Sequence, residues 1–281
     1  MPEPLSNSPK ISCLPVSLFA DIQSGKISIK DWACFAKEIG LDAMDIGIIL
    51  LKNHTPVHLQ QVAKDLADAQ MSICMATTYP DFTHPDLLQR KREMDYLRHD
   101  IALCSQLRIP YLRVTAGQAH SSISRADGIR WAVANLREAA PLAEAYGVRL
   151  VFEDHSKPGA WQSLDFAYAP ENFLEIARQV EPAGVKVNFD TGNIVAYGED
   201  PLPVLEAVIG QVATIHVSDM AEKGVFRPTA IGAGVVPNRE IFAYLKRAGF
   251  TGWLCIEEAS GTGFEGIRKA VEYVRNIWNE V

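Results

Sequence analysis

The sequence predicts a closed (β/α)8 barrel, and three observations carry that expectation. Short apolar runs with strand character recur eight times at intervals of roughly 25–40 residues, with amphipathic helical stretches between them. The chain has 281 residues, and one such barrel takes about 250. The last four runs each end on a residue type that binds metal well: Leu150-Val-Phe-Glu153, Val185-Lys-Val-Asn-Phe-Asp190, Ala213-Thr-Ile-His216 and Trp253-Leu-Cys-Ile-Glu257. Parallel strands of a closed barrel converge at their C-terminal ends, the face that carries the chemistry. Three carboxylates and one imidazole would then surround a single cation.

The elements follow in order. Residues 1–10 (MPEPLSNSPK) are polar and rich in Pro and Ser, and are expected as a loose tail before a single barrel domain over 11–281. Strands are expected at about 13–18, 42–48, 71–77, 110–115, 148–154, 184–190, 212–218 and 252–258. Three helices end at a glycine, which takes the left-handed backbone at no steric cost. Trp32 to Ile39 runs into Gly40, Ile129 to Tyr146 into Gly147, and Ile241 to Ala248 into Gly249. Ile129, Ala132, Val133, Leu136, Ala140 and Ala143 recur at helical spacing. The other units turn at Gln70 and Arg108. An open doubly wound sheet would want a Gly-rich phosphate fingerprint after the first strand, and Ser17-Leu-Phe-Ala-Asp-Ile-Gln has none.

Side chains alternate between the two faces of a strand. Leu150 and Phe152, Val187 and Phe189, Ile215 and Val217, and Leu254 and Ile256 therefore form bulky faces that suit the surrounding helices. The opposite faces carry Glu153, Asp190, His216 and Glu257 beside smaller or polar neighbours, which suits the barrel interior. The same phase selects Glu257 over Glu258. Any one of these positions alone reads as a loop residue or cap; the shared phase on four strands points to a metal site. An oxygen-rich set with one imidazole suits Mn²⁺, Mg²⁺ or Co²⁺ and accommodates Zn²⁺.

Composition excludes several classes. A net charge of −7 without Lys/Arg clusters argues against a nucleic-acid partner. No apolar span of membrane length and no secretory leader is visible, so a soluble protein without a membrane partner is expected. Five cysteines without a CxxC pair read as free thiols of a reducing cytoplasm. Oligomeric state is left open, a homo-oligomer included.

The ordered motifs resemble the sugar phosphate isomerase/epimerase family of xylose isomerase-like TIM barrels, from about Cys13 onward. They are Tyr79-Pro-Asp-Phe-Thr-His-Pro-Asp, Tyr111-Leu-Arg-Val-Thr-Ala-Gly, Glu153-Asp-His, Asp190-Thr-Gly-Asn193, His216-Val-Ser-Asp219, Ile231-Gly-Ala-Gly234 and Gly249-Phe-Thr-Gly-Trp-Leu-Cys-Ile-Glu257. The resemblance implies Glu153, Asp190, His216 and Glu257 as ligands of one divalent metal, with Glu153 and Glu257 as acid and base. It implies a carbohydrate or keto-acid substrate, and isomerisation or epimerisation through a metal-stabilised enediolate.

Departures narrow that reading. Asn193 stands where apurinic endonucleases of this fold carry a ligand histidine, and Phe226-Arg-Pro-Thr lacks their later Asp/His pair, which argues against DNA repair. Asn193 and Glu222 also replace a His and an Arg common in ketose 3-epimerases. His155 is a candidate to orient substrate, Asp219 to fix His216 or cap a turn, and Arg227 to bind a substrate anion. Ser260-Gly-Thr-Gly263 is either a phosphate loop or a plain turn. A dehydratase of a keto-inositol or dehydroshikimate-type substrate is the near alternative, and a non-catalytic sugar-binding barrel the distant one.

Overall fold

The computed structural model describes residues 9–156 and 161–281. Among the described residues, eight parallel strands form one sheet in the order β1-β8-β7-β6-β5-β4-β3-β2. They are β1 (Lys10–Leu14), β2 (Met44–Gly47), β3 (Ile73–Thr77), β4 (Tyr111–Val114), β5 (Arg149–Glu153), β6 (Lys186–Asp190), β7 (Val212–Val217) and β8 (Trp253–Glu257). One longer helix follows each: α1 (Ile29–Glu38), α2 (Pro56–Asp68), α3 (Leu87–Gln106), α4 (Arg125–Ala145), α5 (Pro170–Val180), α6 (Pro201–Val208), α7 (Asn238–Arg247) and α8 (Gly263–Glu280). This is the expected (β/α)8 barrel. At the seam between β1 and β2 the ladder gives way to four hydrogen bonds: Asp42 N (2.9 Å) and Ala43 N (3.4 Å) donate to Ile11 O, Ile11 N to Asp42 Oδ2 (2.8 Å), and Ser12 Oγ to Asp45 Oδ2 (2.6 Å).

The first strand departs from the expectation of 13–18. It starts at Lys10, which the tail reading had included, and residues 1–8 of that tail lie outside the described residues. Pro15 ends it, because proline has no N–H for the ladder. Val16–Leu18 then forms a 3₁₀ turn in which Leu18 N donates to Pro15 O (2.9 Å). Val16 and Phe19, expected to lie in or beside a strand, are thereby delivered to the segment that follows the C-terminal end of β1.

Two layers of apolar packing follow from the alternation. Leu150, Phe152, Val187, Phe189, Ile215, Val217, Leu254 and Ile256 join the large core beneath the helices. Ala43, Cys74, Met75, Val151 and Cys255 fill a separate small cluster inside the barrel. Cys13, Cys74, Cys104 and Cys255 are free and buried, and Cys34 is free and exposed. No helix among the described residues is long and apolar enough to cross a membrane.

Gln70 (φ 52°) and Arg108 (φ 56°) are the two non-glycine residues held in the left-handed region among the described residues. They stand where Gly40, Gly147 and Gly249 close the equivalent helices. A side chain bearing Cβ is strained there, and exposed Arg108 has no compensating burial. Arg108→Gly is expected to stabilise the fold by about 0.5–1 kcal/mol. Calorimetry should record a rise in Tm of about 1–4 °C.

Candidate metal centre and substrate cavity

Four strands place the candidate ligands. Glu153 ends β5, Asp190 ends β6, His216 lies near the end of β7, and Glu257 ends β8. Asp190 pairs in register with His216, whereas Glu153 pairs with Asn188 and so sits one step deeper. One donor atom from each of the four lies within 4.8 Å of the others. His216 Nδ1 is 2.5 Å from Glu153 Oε1 and 2.9 Å from Glu257 Oε2.

Two of the three carboxylates are held by neighbouring hydrogen-bond donors. Glu153 Oε1 accepts from Asn188 Nδ2 (2.6 Å), and Asn188 Oδ1 accepts from Thr214 Oγ1 (2.7 Å). Asp190 Oδ1 accepts from Gly192 N (2.7 Å), Asn193 N (2.8 Å) and Ser218 Oγ (2.8 Å), which fixes its orientation. That turn requires glycine at 192, since a Cβ would fall 2.4 Å from Ser218 Oγ. Glu258, one residue past the cluster, turns away and accepts from Ser260 N (3.0 Å).

A buried cation absent from the sequence expectations completes the centre. Arg113 of β4, 1% exposed, places Nε 3.1 Å from Glu153 Oε2 and donates from Nη2 to the Tyr79 hydroxyl (2.9 Å). Its guanidinium lies over the Tyr79 ring at 4.3 Å. The signal was available. Leu112 and Val114 face the outer core, so Arg113 must face the barrel interior, where a guanidinium needs a carboxylate.

Electrostatics follow from burial and pairing. Burial would raise the Glu153 carboxyl, but Arg113 and His216 outweigh it and hold the group well below its usual range. Burial likewise works against ionisation of Glu257, and His216 reverses the effect. Asp190 is pushed up to about 7 by burial, and then by the charges of Glu257 and Glu153. Three carboxylates this close repel unless a positive charge joins them. One imidazole nitrogen among carboxylate oxygens, in a largely buried cluster, fits a hard or borderline divalent cation.

Above the cluster opens a cavity of about 620 Å³, bordered by Asp190, Glu257, Asn193, His155 and Tyr79. His155 is buried, edge-on to the Tyr79 ring at 5.6 Å, and 3.9 Å from Asp165. Burial first, then Arg113, lower it to about 4, so the ring is neutral near pH 7. Asn193 opens a short helix (Asn193–Tyr197) with its residue buried at the cavity wall.

Asp219 caps the loop after β7 and does not touch His216. Its carboxylate accepts from Met220 N (2.9 Å), Gly232 N (2.9 Å), Gly234 N (3.0 Å) and Val236 N (3.1 Å). The two glycines of Ile231-Gly-Ala-Gly234 thus wrap the aspartate of His216-Val-Ser-Asp219. Arg227 is exposed and paired with Glu222 (3.0 Å), outside the cavity wall that its neighbours Phe226 and Pro228 help to form.

Comparison with known proteins agrees with this architecture. A family profile described as xylose isomerase-like TIM barrel matches residues 34–277. An inosose dehydratase from Geobacillus thermodenitrificans (strain NG80-2) is 28% identical over 156 residues, covering 48% of this chain and 49% of that protein. The chain spans about half the length of that relative. Among solved structures, the probable 3-DHS dehydratase AsbF, involved in petrobactin synthesis in Bacillus anthracis, superposes with a TM-score of 0.76 at 16% identity, over 94% of this chain and 98% of that one. The 3-keto-D-glucoside 4-epimerase YcjR from E. coli superposes with a TM-score of 0.76 at 15% identity, over 96% and 100%. At those identities the likeness is one of fold.

Proposed function

The chain belongs to the xylose isomerase-like TIM barrel family, and from that premise we propose that it is a divalent-metal-dependent isomerase or epimerase of a sugar, sugar phosphate or keto-sugar. The observation that carries this reading is the meeting of Glu153, Asp190, His216 and Glu257 at the floor of a substrate-sized cavity. These four residues would hold one Mn²⁺, Mg²⁺ or Co²⁺, or Zn²⁺. A cation there would polarise a substrate carbonyl and acidify the neighbouring C–H.

The chain's own groups divide the remaining work. Glu257 borders the cavity and is the carboxylate we assign to remove the proton. Glu153, across His216 and one register step deeper, is the second carboxylate assigned to proton exchange. Return of the proton to the same carbon from the other face gives an epimer; return to the adjacent carbon gives an isomer. Asn193, His155 and Tyr79 supply side-chain hydrogen bonds that orient substrate hydroxyls.

Incubating the metal-loaded protein with a panel of ketoses in D₂O should introduce solvent deuterium beside the carbonyl, read by mass spectrometry. Unlabelled sugars across a broad panel would defeat the proposal. Saturating Mn²⁺ at about 100 times its Kd should also stabilise the fold by about 2.7 kcal/mol. Asp190→Asn should reduce that metal-induced rise in Tm. An unchanged rise in the variant would remove Asp190 from the ligand set.

A second reading is elimination of water from a keto-inositol or dehydroshikimate-type substrate. The 28% identity to an inosose dehydratase favours it. Proton removal is shared, but a β-hydroxyl then leaves. A new conjugated ultraviolet absorbance, with net loss of water, separates it from the first reading.

A further inference from the structure

The cavity is polar at its floor and apolar at its mouth. Val16 and Phe19 reach it from the loop after β1, Ile49 from the loop after β2, Trp161 from the loop after β5, and Phe226 and Pro228 from the loop after β7. Ile49 is 55% exposed and Phe226 47% exposed. Apolar side chains scattered singly over a surface need no explanation, but four loops converging on one rim do. Trp161 is held at that rim by its neighbours, since Gln118 Oε1 accepts from Gln162 N (3.0 Å) and Ser163 N (3.2 Å). At about 620 Å³ the cavity is of the size that buries a drug-sized ligand, more than a lone sugar ring needs.

Charge sorts the wall as clearly. Among the described residues that border the cavity none is Lys or Arg, while Asp190, Asp219 and Glu257 are acidic. Among the described residues, Arg113 is committed to Glu153 and Tyr79, and Arg227 to Glu222. The loops after the seventh and eighth strands often hold a phosphate in such barrels. Here the Ser260 N–H and hydroxyl both donate to the buried carboxylate of Glu258, which repels an anion. Among the described residues these walls offer a phosphate or carboxylate group no cationic side chain to replace its lost water.

We propose that this cavity takes an uncharged ketose bearing an apolar, aryl-sized substituent, with its ketone at the four-residue centre and its substituent gripped by Phe19, Ile49, Trp161 and Phe226. This rests on the proton-transfer reading above and names the substrate class for it. An amphipathic ligand of this kind is oriented by the gradient itself, polar end inward.

The test uses three hexopyranosides sharing one ring ketone: the methyl glycoside, the phenyl glycoside and the methyl glycoside 6-phosphate. Binding to the Mn²⁺-loaded protein is measured by calorimetry, and deuterium exchange is followed in parallel. The phenyl glycoside should bind about 10–100-fold tighter than the methyl glycoside. The 6-phosphate should bind more weakly than either. The double variant Ile49→Ser/Phe226→Ser should bring the phenyl-to-methyl ratio close to one; both side chains are exposed, so the fold should tolerate the change.

Equal affinity for the methyl and phenyl glycosides, tighter binding of the phosphate, or no binding of any of the three would overturn the proposal. So would a double variant that dissociates a dimer, seen by sedimentation, while keeping the phenyl preference; the rim would then be a contact between copies. Exchange into the methyl and phenyl glycosides without any phenyl preference would leave the reaction standing and remove only the substrate class. A phenyl preference without exchange into any ketose would do the reverse.

Discussion

Glu257→Gln is expected to lower kcat by about 10²–10⁴-fold with little change in KM. Glutamine keeps the shape of the side chain and loses only the basic oxygen. Glu257 is also the glutamate of the pair that borders the cavity, 23% exposed against none for Glu153. Turnover must be compared at saturating metal, because the substitution removes one of three carboxylates from the centre. Glu153→Gln should behave differently. It leaves the Arg113 guanidinium without its ion pair, so weaker metal binding and a lower Tm should accompany the loss of turnover. If both variants kept full activity in the cell, the barrel would be a sugar-binding protein and not a catalyst.

Arg113→Met should have the largest effect on stability. The guanidinium is buried, 3.1 Å from Glu153 Oε2, bonded to the Tyr79 hydroxyl and stacked on its ring. Removing one partner of such a pair costs about 3–5 kcal/mol, because the remaining charge stays buried alone. The loss should be greatest in protein stripped of metal, where Arg113 and His216 are the neighbours that lower Glu153. Adding Mn²⁺ should recover part of it by giving Glu153 another counter-charge. Arg113→Lys should fall between, since an ammonium cannot reproduce the planar fork that reaches carboxylate and hydroxyl together. Equal losses with and without metal, in denaturant titrations, would show that Arg113 supports the barrel independently of the centre.

The sequence disclosed the strands and the four converging residues because both signals are periodic. An apolar run closed by a polar residue is visible, and its phase separates the helix-facing side from the interior. The same logic reaches Arg113, but Tyr111-Leu-Arg-Val reads at first sight as a half-exposed strand. The first strand was displaced because Val16 to Phe19 is as apolar as Ile11 to Leu14, and only Pro15 marks the boundary. Phe19, Ile49 and Phe226 were illegible as rim residues for a related reason. Hydrophobicity says that a side chain leaves water, not whether protein or ligand covers it. Asp219 could not be assigned from spacing, since three of its four backbone-amide partners lie 13 to 17 residues away.

That aspartate has a consequence for how such a molecule changes over time. Four main-chain amides clamp the base of the excursion between β7 and α7 onto one side chain, while the side chains of Val225 and Phe226 near its tip are partly exposed. Drift at the tip can therefore alter what the barrel admits without disturbing how the excursion is anchored. Substitutions at those exposed positions should likewise leave the four-residue cluster at the cavity floor in place.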